Sequence, residues 1–251
     1  MIPAIKAEFR KLVTVRSTYV ISGLATALVI FFAFYIEGYK LGVSDVAYHP
    51  NLLASDVTGA LSTTAIFASI IAILLVSHEY RYNTIMHTLT ATNNRMKVLV
   101  GKFLAVSAYA LLFAAFIGVL SPVMSYLGIR AHGMQMPHQI IHYGDLIWRT
   151  LFYGWGTGMI GLVISVLVRN QVASIVSMFL IPGVVENLLG LLLKKDTIYL
   201  PFSSLDQVIN SGSTNPAQGM LTPGKAAGVF AIYLVVGWIV AAVLFVRRDA
   251  N

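Results

Sequence analysis

The chain has 251 residues, 57% of them hydrophobic and 11% charged, with no cysteine and a formal net charge of +7. Soluble domains carry roughly 25% charged residues, so this composition excludes an ordinary soluble protein and points to a membrane. The missing cysteines exclude disulfides, thiolate metal sites and thiol nucleophiles.

At the start of the chain, Ile2, Ile5, Phe9 and Leu12 recur at helical spacing, while Lys6, Glu8, Arg10 and Lys11 face elsewhere. This pattern predicts an amphipathic helix in the cytoplasmic interface over residues 1–16, the alternative being a frayed basic tail that orients the first span. A secretory signal is excluded by the length of the apolar part and by its run into FAFYIEGYK without a small-x-small site. Apolar stretches long enough to cross a bilayer as helices follow at 18–36, 59–77, 103–127, 150–168, 172–193 and 226–246. The expected fold is therefore an all-α integral membrane protein: one domain over residues 1–251, with a six-helix body over 17–251. Eleven Lys and Arg flank the spans on the side of the N-terminus and six on the other, so both termini are expected in the cytoplasm.

Between the second and third spans runs VSHEYRYNTIMHTLTATNNRMKVLVGKF, a cytoplasmic stretch on this topology. His78-Glu79 invites a zinc-protease reading, but that site needs a histidine at position 82, which is Tyr82. Ile85, Met86 and Leu89 make one apolar helix face flanked by Thr84, His87, Thr88 and Thr90, and Asn93 or Asn94 can cap the helix that starts at Arg95. Such a piece is either a ligand for a partner's groove or a hairpin resting in the lipid interface.

In the third span Ser121-Pro122, and in the fifth Pro182-Gly183, are expected kinks. Gly154 and Gly158 in the fourth span form a small-xxx-small pair that favours close helix packing. Arg169 to Gln171 is too short a link for anything but antiparallel neighbours. Glu186 is an acid inside a predicted span, expected either in an interhelical pair or, with Asn187, along a pathway or gate. Residues 202–209 are amphipathic, read either as dipping into the outer leaflet or as part of a solvated loop.

Catalysis finds no support. No Gly-x-Ser-x-Gly elbow or Ser-His pair lies within the spans. Gly101-Lys102 and Gly224-Lys225 are followed by Phe103 and Ala226 and lack the upstream glycine of a phosphate-binding loop, so ATP energy has to come from another chain.

The six spans, the basic amphipathic start and the 79–102 loop resemble the type-2 family of ABC export permeases. Its loop pattern is matched by Glu79, Arg81, Thr84, Leu89, Arg95 and Lys102; many relatives have Gly before the Thr, where this chain has Asn83. The resemblance implies a cytoplasmic coupling helix between helices 2 and 3 and a non-catalytic permease in a bacterial plasma membrane. It also implies two separate ABC ATPase subunits carrying ATP and Mg, a second permease subunit, identical or homologous, and no cofactor on this chain. Its partners would thus be proteins and membrane lipid, not nucleic acid. On that reading Glu79, Arg81, Thr84, Ile85, Met86, Leu89, Arg95 and Lys102 couple to the ATPase. Phe31, Phe32, Phe34, Tyr35, Phe113 and Phe116 line a pathway for drugs, antibiotics, antimicrobial peptides or other amphipathic cargo. The alternative is a non-transporting immunity, sensor or partner-binding subunit.

Overall fold

The computed structural model describes residues 2–40, 51–86, 88, 94–135, 141–210 and 220–247, and among these every regular element is helical. Leu89, His87, Thr90 and Asn93 lie outside the described residues. The helices are α1 (Ile2–Thr14), α2 (Arg16–Ile30), α3 (Leu52–Arg81), α4 (Arg95–Ala131) and α5 (Tyr143–Val168). They are followed by α6 (Gln171–Leu180), α7 (Glu186–Leu193), α8 (Pro201–Asn210) and α9 (Pro223–Arg247).

Among the described residues, six helices are long and apolar enough to span a bilayer: Arg16–Tyr39, Leu52–Arg81, Arg95–Ala131, Tyr143–Val168, Gln171–Tyr199 and Pro223–Arg247. Each outruns its apolar stretch, because main-chain bonding carries the helix on into polar sequence. Pro122 sits inside the continuous α4, so the kink expected there does not interrupt the helix. Pro182-Gly183 does mark an irregularity, the π-helical turn Ile181–Val185 between α6 and α7. A longer π-helical segment, Phe31–Tyr39, continues α2.

Close helix crossings set the packing, since apolar burial gains little where lipid is the solvent. A Cβ on Gly158 would stand 2.9 Å from Ala110 Cβ, and one on Gly154 would overlap Ala114 Cβ, so the small-xxx-small pair seats α5 on α4. Nearer the C-terminal end of α4 a Cβ on Gly38 would stand 2.7 Å from Ser125 O, so α4 meets the π-helical segment backbone to backbone. The α3–α5 contact is broader and carries a buried Ser77–Ser165 hydroxyl bond of 2.8 Å. Arg169 takes a left-handed conformation (φ 56°), and Asn170 Oδ1 accepts from Ala173 N at 3.0 Å, which produces the tight α5–α6 turn.

Two expectations are sharpened. Residues 202–209 belong to α8, whose Leu205, Val208 and Ile209 are buried where it packs on α5 and α9, so they are a packed helix and not a solvated loop. The apolar face of α1 is split: Leu12 enters the core and Ile5 is half-buried, but Phe9 and Val13 turn outward at 36% and 62% exposure. The helix docks instead through Glu8 and Leu12, and electrostatics explains why.

Candidate functional site

Four charges meet where α1 crosses α3 and α4. Lys102 on α4 is fully buried, and its Nζ lies 2.9 Å from Glu79 Oε1 and 3.0 Å from Glu8 Oε2. It also donates to Leu75 O at 3.3 Å. Lys11 pairs with Glu8 Oε1 at 2.7 Å and with Glu79 Oε1. Burying one ammonium alone is prohibitively costly, and two carboxylates with two ammoniums form a neutral group that tolerates the interior. This pairing turns Glu8 inward and fixes the docking face of α1. Burial pulls the Lys11 ammonium down, but the Glu8 and Glu79 carboxylates beside it outweigh that and hold it above the usual lysine range.

The cluster stands directly behind the turn that leaves α3. Thr84 N donates to Glu79 O at 2.9 Å, Tyr82 N to His78 O at 2.9 Å, and Asn83 N to Tyr80 O at 3.3 Å. Asn83 adopts the left-handed conformation, φ 54°, at the position where glycine was expected in relatives. Arg81, Tyr82, Asn83, Thr84 and Met86 are exposed, whereas Ile85 is buried at 2% exposure in the core with Leu12, Leu75 and Leu99. The turn is therefore an exposed knob bolted to the end of α3.

The loop residues thus divide. Glu79 and Lys102 do not reach outward to a partner's rim, because each meets the other's charge inside the chain. Ile85 does not form an outward face with Met86, because the Asn83 turn folds it back onto the core. Arg81 is exposed, and its Nη1 donates to Gln171 Oε1 at 3.1 Å, joining the knob to the α5–α6 turn. Arg95 is half-buried and donates to Val246 O at 3.1 Å. Asn94 caps α4, its side chain accepting from Lys97 N at 3.2 Å. Glu8 and Lys11 escaped the sequence reading of the site, although an acid at helical spacing with Ile5 and Leu12 was a legible signal.

The aromatic candidates also divide. Phe31 and Tyr35 are exposed on the π-helical segment and stack at 5.7 Å between centroids, with Tyr39 following at 6.1 Å; Phe32 is exposed and Phe34 half-buried. Phe116 is exposed on α4, but Phe113 is buried and stacks on Tyr109, so it lines no open surface of this chain. Glu186 is buried and accepts from Phe202 N (2.7 Å), Ser203 N (2.8 Å) and Ser203 Oγ (2.7 Å), capping the start of α8. The neighbouring Asn187 is exposed and donates to Gly183 O at 2.8 Å.

A comparison with curated proteins finds no match. Residues 4–185, most of the chain and all of the cluster and knob, match the family described as ABC-2 family transporter protein. With six apolar helices of spanning length, this makes the chain a multi-pass membrane component that works with ABC ATPase subunits. The chain belongs to the ABC-2 transporter family and is the permease subunit of an ABC transporter.

Proposed function

We propose that this permease is one half of the membrane part of an exporter. Two such subunits, identical or homologous, enclose the pathway, and two ABC ATPases carrying ATP and Mg bind on the face that holds α1 and both termini. This is the cytoplasmic side by the excess of Lys and Arg, and there the outward Phe9 and Val13 of α1, among Lys6 and Arg10, rest in the lipid interface. The ATPase holds Tyr82, Thr84 and Met86 in a cleft, with Arg81 and Arg95 at its edge. Leu89 falls in the same loop.

One observation carries the reading: the knob is hydrogen-bonded to the end of α3, where the Glu79 side chain joins α3 to α1 and α4 through Lys11 and Lys102. A displacement of the knob is delivered to three helices at once, as coupling of nucleotide-driven closure to helix rotation requires. Glu79, Lys102 and Ile85 then act as the anchor behind the contact. Phe31, Phe32, Tyr35 and Phe116 present aromatic surface to the pathway, which suits amphipathic cargo such as drugs, antibiotics or antimicrobial peptides.

The test is ATP-dependent transport in sealed vesicles containing the permease with its co-purified ATPase. Met86→Asp is expected to leave both subunits present and ATP hydrolysis measurable while cargo movement is lost. Purification of a permease that never recovers an ATPase would overturn the reading in favour of a non-transporting subunit.

A further inference from the structure

A cavity of about 400 Å³ opens beside the knob, between the end of α3 and the α5–α6 turn. Tyr80 and Arg81 line it on one side, and Arg169, Gln171 and Val172 on the other. Arg81 closes the span Leu52–Arg81 and Gln171 opens the span Gln171–Tyr199, so the cavity sits at the level where lipid headgroups meet the chain.

The walls are positively charged. Arg81 is exposed and spends one N–H on Gln171 Oε1 at 3.1 Å, which leaves further guanidinium donors for a ligand. Arg169 is held across from it: Nη2 donates to Leu244 O at 3.3 Å, and the guanidinium carbon stands 5.3 Å from the centre of the Tyr80 ring. Arg95 reaches the same end of α9 through Val246 O, and the exposed Arg247 closes that helix, so both add to the positive field. Among the described residues no carboxylate lines the cavity, and Glu79 on the neighbouring turn is already matched by Lys11 and Lys102. Two guanidinium groups so placed match the oxygens of a phosphate.

The rim toward the bilayer is apolar. Val172 lines the cavity, and Val176, Phe179 and Leu180 follow it at helical spacing, all exposed along one face of α6 that leads from the cavity into the span. Positive charge at the end of a span, with an exposed apolar stripe running away from it, is complementary to an anionic headgroup carrying an acyl chain.

We infer that this cavity binds an anionic phospholipid of the phosphatidylglycerol type, its phosphodiester between Arg81 and Arg169 and one acyl chain along Val172, Val176 and Phe179. The lipid then bridges the end of α3 to the α5–α6 turn, beside the direct Arg81–Gln171 bond. The site is independent of whether the chain exports cargo, and binding is read first on the permease alone.

The experiment equilibrates the purified full-length permease in detergent with phosphatidylglycerol and phosphatidylcholine of matched acyl chains, and reads bound lipid by native mass spectrometry. Phosphatidylglycerol is expected to be retained about tenfold more strongly, the scale of a hydrogen bond to a charged group, and its advantage to shrink as ionic strength rises. Arg81→Gln combined with Arg169→Asn is expected to abolish the preference in a protein of unchanged elution, because Asn accepts the left-handed backbone at position 169 (φ 56°). Independently of any variant, a phosphatidylglycerol with a photoreactive acyl chain is expected to label residues 172–180 of the unaltered chain, and inorganic phosphate at the same concentration not to displace it. The complex co-purified with its ATPase is expected to keep the lipid. Equal retention of the two lipids, a preference indifferent to salt, a preference that survives the double substitution, displacement by inorganic phosphate, or labelling confined to other helices would each overturn the assignment. Exclusion of the lipid from the ATPase complex or from a permease dimer would overturn it too, and give the surface to that protein partner.

Discussion

Lys102 Nζ lies 2.9 Å from Glu79 Oε1, and the Lys102 side chain has no exposed surface. This pair joins the end of α3 to α4 immediately behind the exposed turn at residues 82–84, and Glu8 and Lys11 extend it to α1. Removing one member of a buried ion pair leaves the other uncompensated, typically at about 3–5 kcal/mol. Lys102→Met is therefore expected to lower the unfolding temperature in detergent sharply. Glu79→Gln combined with Lys102→Met is expected to recover part of that loss, because the two effects share one interaction. Strict additivity of the two substitutions would contradict the pairing.

Lys11 gives the cluster a defined pH window. Its pKa is raised above the ordinary lysine value of 10.5 by Glu8 and Glu79, against the opposing effect of burial. A raised lysine contributes stability that is fully present below its unfolded value and is lost as pH rises through the folded one. Thermal unfolding between pH 7 and 9 is thus expected to be insensitive to Lys11 titration, with its contribution lost only above about pH 10.5. Lys11→Met is expected to remove that alkaline component; an unchanged alkaline profile in the variant would assign it to another group.

Asn83 at φ 54° sets the direction of the knob. A β-branched residue there costs about 1–2 kcal/mol of local strain, whereas glycine costs nothing sterically. Asn83→Val is expected to raise proteolysis of the 82–88 region and to reduce transport, and Asn83→Gly to preserve both. Equal behaviour of the two variants would show that the left-handed turn does not matter.

Much of this architecture is legible in composition and spacing. The six apolar runs gave six spanning helices, and the Asn cap before Arg95 and the Gly154/Gly158 seam appear where the residues suggest. The charge cluster is not legible in the same way, because Glu8 and Lys102 are 94 positions apart and Lys11 and Glu79 are 68 apart. A loop rich in Glu, Arg and Lys reads as a wet contact surface, and only the helix crossing shows that Glu79 and Lys102 neutralise each other inside. The same limit applies to Glu186, whose partners are backbone N–H groups at Phe202 and Ser203 that no side-chain pattern announces.

Glu186 separates a capping role from a gating role. Glu186→Ala is expected to speed hydrogen exchange at Phe202 and Ser203, because two amides lose their acceptor, and to destabilise α8 by about 0.5–2 kcal/mol. Glu186→Gln keeps one carbonyl acceptor and is expected to fall between. A gating role without capping would leave exchange unchanged while transport falls.

The absence of native cysteine makes one measurement especially clean. Met86→Cys places a single thiol on the exposed knob, and Leu112→Cys places one on an exposed face of α4 within the third span. With a short bifunctional thiol-to-amine reagent on the co-purified complex, the Met86→Cys protein is expected to form a covalent adduct with the ATPase, and the Leu112→Cys protein none. A complex that retains its ATPase but gives no adduct through position 86 would contradict the claim that this turn is where the permease takes its drive.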